Sequence, residues 1–128
     1  MTNNIEQPSN PPPIICINDR VLLRYALLSD SVGFNNGHGL MFVGGKEIGR
    51  VPHLAICQDK DSPQFTLYYC GNDWSPIGVA SYNNVAAAER RAEHIYPGSS
   101  ACWIDGQFTE DDANRYRDEM FPDWRQVL

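Results

Sequence analysis

Three histidines (His38, His53 and His94) and four cysteines (Cys16, Cys57, Cys70 and Cys102) are the side chains with most chemistry to offer. The histidines fall in separate segments, none four residues from another, and no Asp or Glu completes a known ligand or acid–base signature around them. The cysteines are widely spaced and never form a C-x-x-C pair, whereas a structural zinc ion needs ligands clustered in tight pairs. No metal or cofactor is expected. All four thiols lie in segments that read as strands with apolar neighbours, the setting of unreactive core cysteines. Cys–His catalysis requires an imidazole brought to the thiol by the fold. Gly44-Gly45-Lys46 lacks phosphate-loop spacing and opens a strand, so its glycines suit a turn. No catalytic residue is assigned.

Two other groups suit recognition. Asp73-Trp74 sits at a hairpin tip, where the indole either stands out as a partner anchor or folds back over the sheet edge. Tyr68 and Tyr82 are the other aromatic contact candidates. Glu110, Asp111, Asp112, Asp118, Glu119 and Asp123 make the C-terminal region acidic. One reading is a solvated helix face, with Arg115 four residues from both Asp111 and Glu119. The other is a footprint for a basic protein, with Asp111, Asp112 and Asp118 as contacts. The net charge of −6, with scattered basic residues, lacks the concentrated positive surface that nucleic acid requires.

These residues have to be positioned by a single domain of 128 residues, 42% hydrophobic and 20% charged. No apolar run approaches the ~20 residues of a membrane span. Met1 to Glu6 has neither the basic start nor the apolar stretch of an export signal, which predicts a cytoplasmic protein with reduced thiols. Residues 1–13 are polar and end in Pro11-Pro12-Pro13, which predicts a flexible arm before a domain over 14–128.

The fold class expected is α+β: an antiparallel meander, a helix crossover to a further strand and a C-terminal helix, preceded by a β-rich portion. Residues 14–17 read as a strand. Residues 20–28 fit a strand or a helix, because periodicity cannot settle apolar runs this short. Asn36-Gly37 marks a turn, and residues 40–48 a hairpin turning on Gly44-Gly45. His53–Gln58, Gln64–Cys70 and Pro76–Tyr82 are the meander strands. Folding them about Asp61 and Asp73 puts Leu54, Ile56, Phe65, Leu67, Tyr69, Ile77 and Val79 on one face. Ala55, Cys57, Thr66, Tyr68, Ala80 and Tyr82 then form a smaller, partly polar face.

Asn83 or Asn84 caps a helix to about Ile95, whose Val85, Ala88, Ala92 and Ile95 repeat at helical spacing, and Tyr96-Pro97-Gly98 stops it. Residues 100–104 read as a strand and Asp105-Gly106 as a turn. Thr109 caps a last helix with Ala113, Tyr116 and Met120 inward and carboxylates in its first turn.

The stretch from Phe65 to Gly78, with its Asp73-Trp74 turn, and Ala87 to Gly98, ending in Tyr96-Pro97-Gly98, resembles a group of small uncharacterised bacterial proteins. The similarity covers about residues 40–104, and its marks are structural. It implies a bacterial stand-alone domain; some proteins of this kind are immunity partners of toxins. The expected function is therefore non-enzymatic protein binding, in the narrower form an immunity protein. The alternative is a small-molecule-binding protein or hydrolase on the smaller face, with Ala55, Cys57, Thr66 and Ala80 as floor and Cys57 or Cys70 with His53 as reactive groups.

Overall fold

The computed structural model describes residues 21–35 and 49–126 with their side chains, and the backbone of 16–17, 20, 42–43, 46–47 and 127. The proline-rich segment 1–13, the Asn36-Gly37 turn, His38 and the Gly44-Gly45 turn lie outside the described residues. In chain order the elements are β1 (Cys16–Ile17), β2 (Arg20–Leu27), β3 (Phe42–Val43), β4 (Lys46–Glu47), β5 (His53–Gln58), β6 (Phe65–Cys70) and β7 (Pro76–Tyr82). Helix α1 (Val85–Ile95), a 3-10 turn (Ser99–Ala101), β8 (Trp103–Asp105), α2 (Glu110–Met120) and α3 (Trp124–Val127) follow. The fold is α+β.

One antiparallel sheet runs β1-β2-β5-β6-β7, with β8 also paired to β2, while β3 and β4 pair separately. Residues 20–27 are therefore strand. Their type was decided by β5, which pairs along them from Val21↔Gln58 to Leu27↔His53. The chain leaves β7 at one edge of the sheet, passes through α1, and returns at the far side as β8.

The first hairpin has the register that side-chain alternation predicts: Ile56 faces Leu67 and Leu54 faces Tyr69. The second hairpin departs from it. Cys70 pairs with Pro76 as expected for a turn centred on Asp73, but Tyr69 pairs with Gly78 and Leu67 with Ala80. An irregularity at Ile77 adds one residue to β7, and a one-residue offset sends every later side chain to the other face. Ile77 and Val79, expected in the core, are 42% and 54% exposed, while Ala80 and Tyr82 turn to the helix-covered side.

That side is the larger core. Val85, Ala88, Ala92 and Ile95 of α1 are buried with Leu54, Ile56, Phe65, Leu67 and Tyr69. Asn84 caps α1 through the Ala87 N–H. Its last carbonyls are taken by the loop after β2: Asn35 N–H donates to Ile95, the Asn35 amide to His94, and Gly33 N–H to Pro97. Gly98 supplies the left-handed exit at φ 98°. Residues 99–101 then form a 3-10 turn where a strand was expected, because the Glu93 carboxylate accepts the Gly98 and Ser100 N–H groups at 2.9 Å each.

Two charged ties fasten the helices. Arg24 of β2 bonds Glu89 of α1 at 2.5 Å and lies 3.3 Å from Asp105 and 3.6 Å from Glu110, linking four elements. Its guanidinium pKa is raised: burial works against the charge, but Glu89, Asp105 and Glu110 together outweigh it. Gly106 is needed for the turn into α2, since its N–H donates to Leu23 and a Cβ would stand 2.7 Å from the Leu22 carbonyl. On α2 the buried residues are Ala113 and Arg117, whereas Met120, expected inward, is exposed. Arg117 is held by ring faces instead of carboxylates, 3.6 Å from the Trp124 centroid and 4.7 Å from that of Phe65.

Candidate functional site

The thiol–imidazole arrangement is the first candidate that the fold assembles. His53 and Cys70 are direct partners across β5 and β6. Their surroundings oppose an ion pair. Burial pushes the Cys70 thiol up to about 12, with Asp73 adding to the shift, and burial pulls the His53 imidazole below its ordinary value. Both groups are thus held neutral, the reverse of a poised thiolate–imidazolium pair. Cys57 is buried as well, and Cys102 is half-buried.

Trp74 closes this region. It lies 4% exposed, stacked on His53 at 4.2 Å between centroids and set edge-on to Tyr25 at 5.8 Å. With Leu22, Ala55, Cys57, Tyr68 and Cys70 it forms a second core, so the smaller face is filled and Thr66 is buried too. The open floor pictured for a small molecule does not exist: Ala55 and Cys57 are fully covered, and Ala80 belongs to the other face. A bulky residue supplied from the turn occupies the volume that small strand residues leave. Its backbone is left-handed, φ 66°, which costs a non-glycine residue energy that the buried indole offsets. The 71–75 turn holds that shape through Trp74 N–H to Gly71 O, Gly71 N–H to Ser75 O and Ser75 N–H to Asp73 Oδ1.

The acidic candidates divide by what they touch. Asp112 completes the capping box with Thr109 and pairs with Arg115, three residues on, in place of the expected Asp111–Arg115 pair. Its pKa is lowered, chiefly by the Thr109 N–H. Asp118 accepts from Trp124 Nε1 at 2.8 Å and Arg125 at 2.5 Å, bonds that lower its pKa and dock α3. Asp111 is exposed. Of the aromatic candidates, Tyr68 is buried and Tyr82 half-buried against the larger core. Asp111 and part of Tyr82 are thus the predicted contact residues that remain accessible, and the fold does not bring the candidate set together as one patch.

Two features were missed from sequence. Ile77 and Val79 stand out in water on β7, which pairs only with β6 among the described residues. A bulge leaves no mark in alternation, so their exposure had no sequence signal. The second is a cleft at the opposite end of the sheet, about 270 Å³, between the start of β2, the β5–β6 loop and α2. Its walls are Val21, Gln58, Asp59, Lys60, Phe108 and Tyr116. The loop beside it is stiffened by side chains: Asp59 accepts from Thr66 Oγ1 at 2.5 Å and Ser62 Oγ at 2.9 Å, and Tyr116 donates its hydroxyl to Lys60 O at 2.7 Å.

No group of three or more His, Cys, Asp or Glu among the described residues is placed to hold a metal ion. No helix among them is long and apolar enough to cross a membrane. No family model, curated protein or solved structure matches this chain.

Proposed function

We propose that this domain is a non-enzymatic protein-binding module whose partner presents an apolar patch bordered by basic side chains. The observation that carries the reading is the exposure of Ile77 and Val79, at 42% and 54%, on the outermost strand β7. A β-branched pair in water on a strand forgoes burial that a partner can supply, at ~25 cal/mol per Å² of apolar surface. The net charge of −6 favours a basic partner and speeds its encounter. The neutral, buried state of His53 and Cys70 supports binding over thiol catalysis. In its narrower form the partner is a bacterial toxin and the domain its immunity protein, a reading supported by small size, acidity and the resemblance of the Asp73-Trp74 and Tyr96-Pro97-Gly98 segments.

The test is affinity capture from the native host with the natural chain and an Ile77→Lys/Val79→Lys variant. Both substitutions are at exposed positions and should leave the melting curve almost unchanged. A protein held stoichiometrically by the natural chain and released by the variant supports the reading. Equal retention by both, or none by the natural chain, overturns it. For the narrower form, the captured protein should be toxic alone and harmless in the 1:1 complex.

A further inference from the structure

Gln58 is 2% exposed, yet its two amide ends are treated very differently. Nε2 donates into the β5–β6 loop, to the carbonyls of Asp59 (3.0 Å), Ser62 (3.2 Å) and Gln64 (3.1 Å). These three contacts fix which end is nitrogen, because only the NH₂ group can donate. Oε1, on the other side of the amide carbon from that loop, has no hydrogen-bond partner. A buried acceptor left unpaired is costly, and native proteins seldom keep one without a water or ligand to satisfy it. Gln58 is at the same time a wall of the 270 Å³ cleft, whose other sides are Val21, Phe108 and the Tyr116 ring.

We propose that this cleft binds a small, neutral aromatic molecule carrying one ring N–H or O–H, which donates to Gln58 Oε1 while its ring lies against Val21, Phe108 and Tyr116. The volume sits at the lower edge of small-molecule sites, which suits one or two fused rings. Neutrality follows from the charges around the cleft: the Asp59 carboxylate disfavours an anion and the Lys60 ammonium a cation. A donor is required because Oε1 can only accept. The site is independent of the Ile77/Val79 surface at the far edge of the sheet, and the proposal stands or falls separately from the partner reading.

Indole and its donorless twin 1-methylindole are the probes, titrated into the ¹⁵N-labelled full chain and followed by NMR. Indole should shift the Gln58 side-chain amide and the backbone signals of Val21, Lys60 and Tyr116, and give intermolecular NOEs to the Val21 methyls. 1-Methylindole should bind roughly tenfold more weakly or worse, since an unpaired buried acceptor penalises the analogue that cannot donate. Val21→Trp fills the cleft and should abolish the indole shifts with the cooperative melt retained. If that variant fails to fold, the NOEs to Val21 in the natural chain locate the ligand without it. Equal affinity for both probes, NOEs from another surface, or no binding up to the solubility limit would each overturn the proposal, the last leaving Oε1 to solvent alone.

Discussion

Replacing Trp74 by alanine and by glycine separates the two energies that meet at this residue. Both variants lose the buried indole, with its stack on His53 and its edge contact to Tyr25. A tryptophan-to-alanine truncation in a core costs about 3–5 kcal/mol. Alanine keeps the left-handed backbone, φ 66° in the natural chain, at about 1–2 kcal/mol, whereas glycine adopts it freely. Against this, glycine gives the unfolded chain about 0.5–1 kcal/mol of extra entropy. The glycine variant should therefore be the more stable by about 0.5–1 kcal/mol, reversing the order seen at ordinary helix and strand positions. Urea melts followed by far-UV circular dichroism measure it; at a slope of ~1.5 kcal/mol per M the midpoints should differ by about 0.5 M. If alanine equals or exceeds glycine, residue 74 is not left-handed in the native state and the reasoning about the turn fails.

Leu67→Ala should cost about 2–5 kcal/mol, as a fully buried neighbour of α1, while Val79→Ala should cost under about 0.5 kcal/mol. Comparable losses in denaturant melts would restore the register without the bulge. Thr66→Ala should cost about 1–3 kcal/mol, because it leaves the buried Asp59 carboxylate short of a donor; a neutral result would remove that bond from the native state. Stability should fall as pH drops below about 6.5, because the unfolded chain takes up a His53 proton before the folded one, and should level off once the folded pKa is passed. The depressed carboxylates Asp73, Glu93, Asp112 and Asp118 lose their contribution only below the usual carboxylate range, about pH 4, so melts of His53→Phe should be flat between pH 7 and 5 if the assignment is right. In the native state Cys102 should react first with a thiol reagent and Cys57 and Cys70 only on unfolding; fast labelling of Cys70 would contradict a thiol held at about 12.

What the chain determined locally could be read from it. The stripe on α1 follows from helical spacing, its start from Asn84 and its end from Tyr96-Pro97-Gly98, each a signal carried within a few residues. The first hairpin register was legible because alternating large side chains on both strands agree in only one alignment. Residues 20–27 were ambiguous, since the hydrogen bonds that make them strand come from β5, more than twenty residues later. The bulge at Ile77 was invisible because it is a compromise between turn geometry and packing, and one extra residue reverses which side chains meet water. The same holds for both candidate surfaces. Trp74 could be read as anchor or core until the small residues Ala55, Cys57 and Cys70 were seen to leave it a seat. Gln58 stands out only once the loop takes one end of its amide and the packing of α2 against β2 leaves the other facing a cleft. Local signals are set by neighbours in sequence; faces, seats and unpaired atoms are set by neighbours in space, and those exist only after the chain has folded.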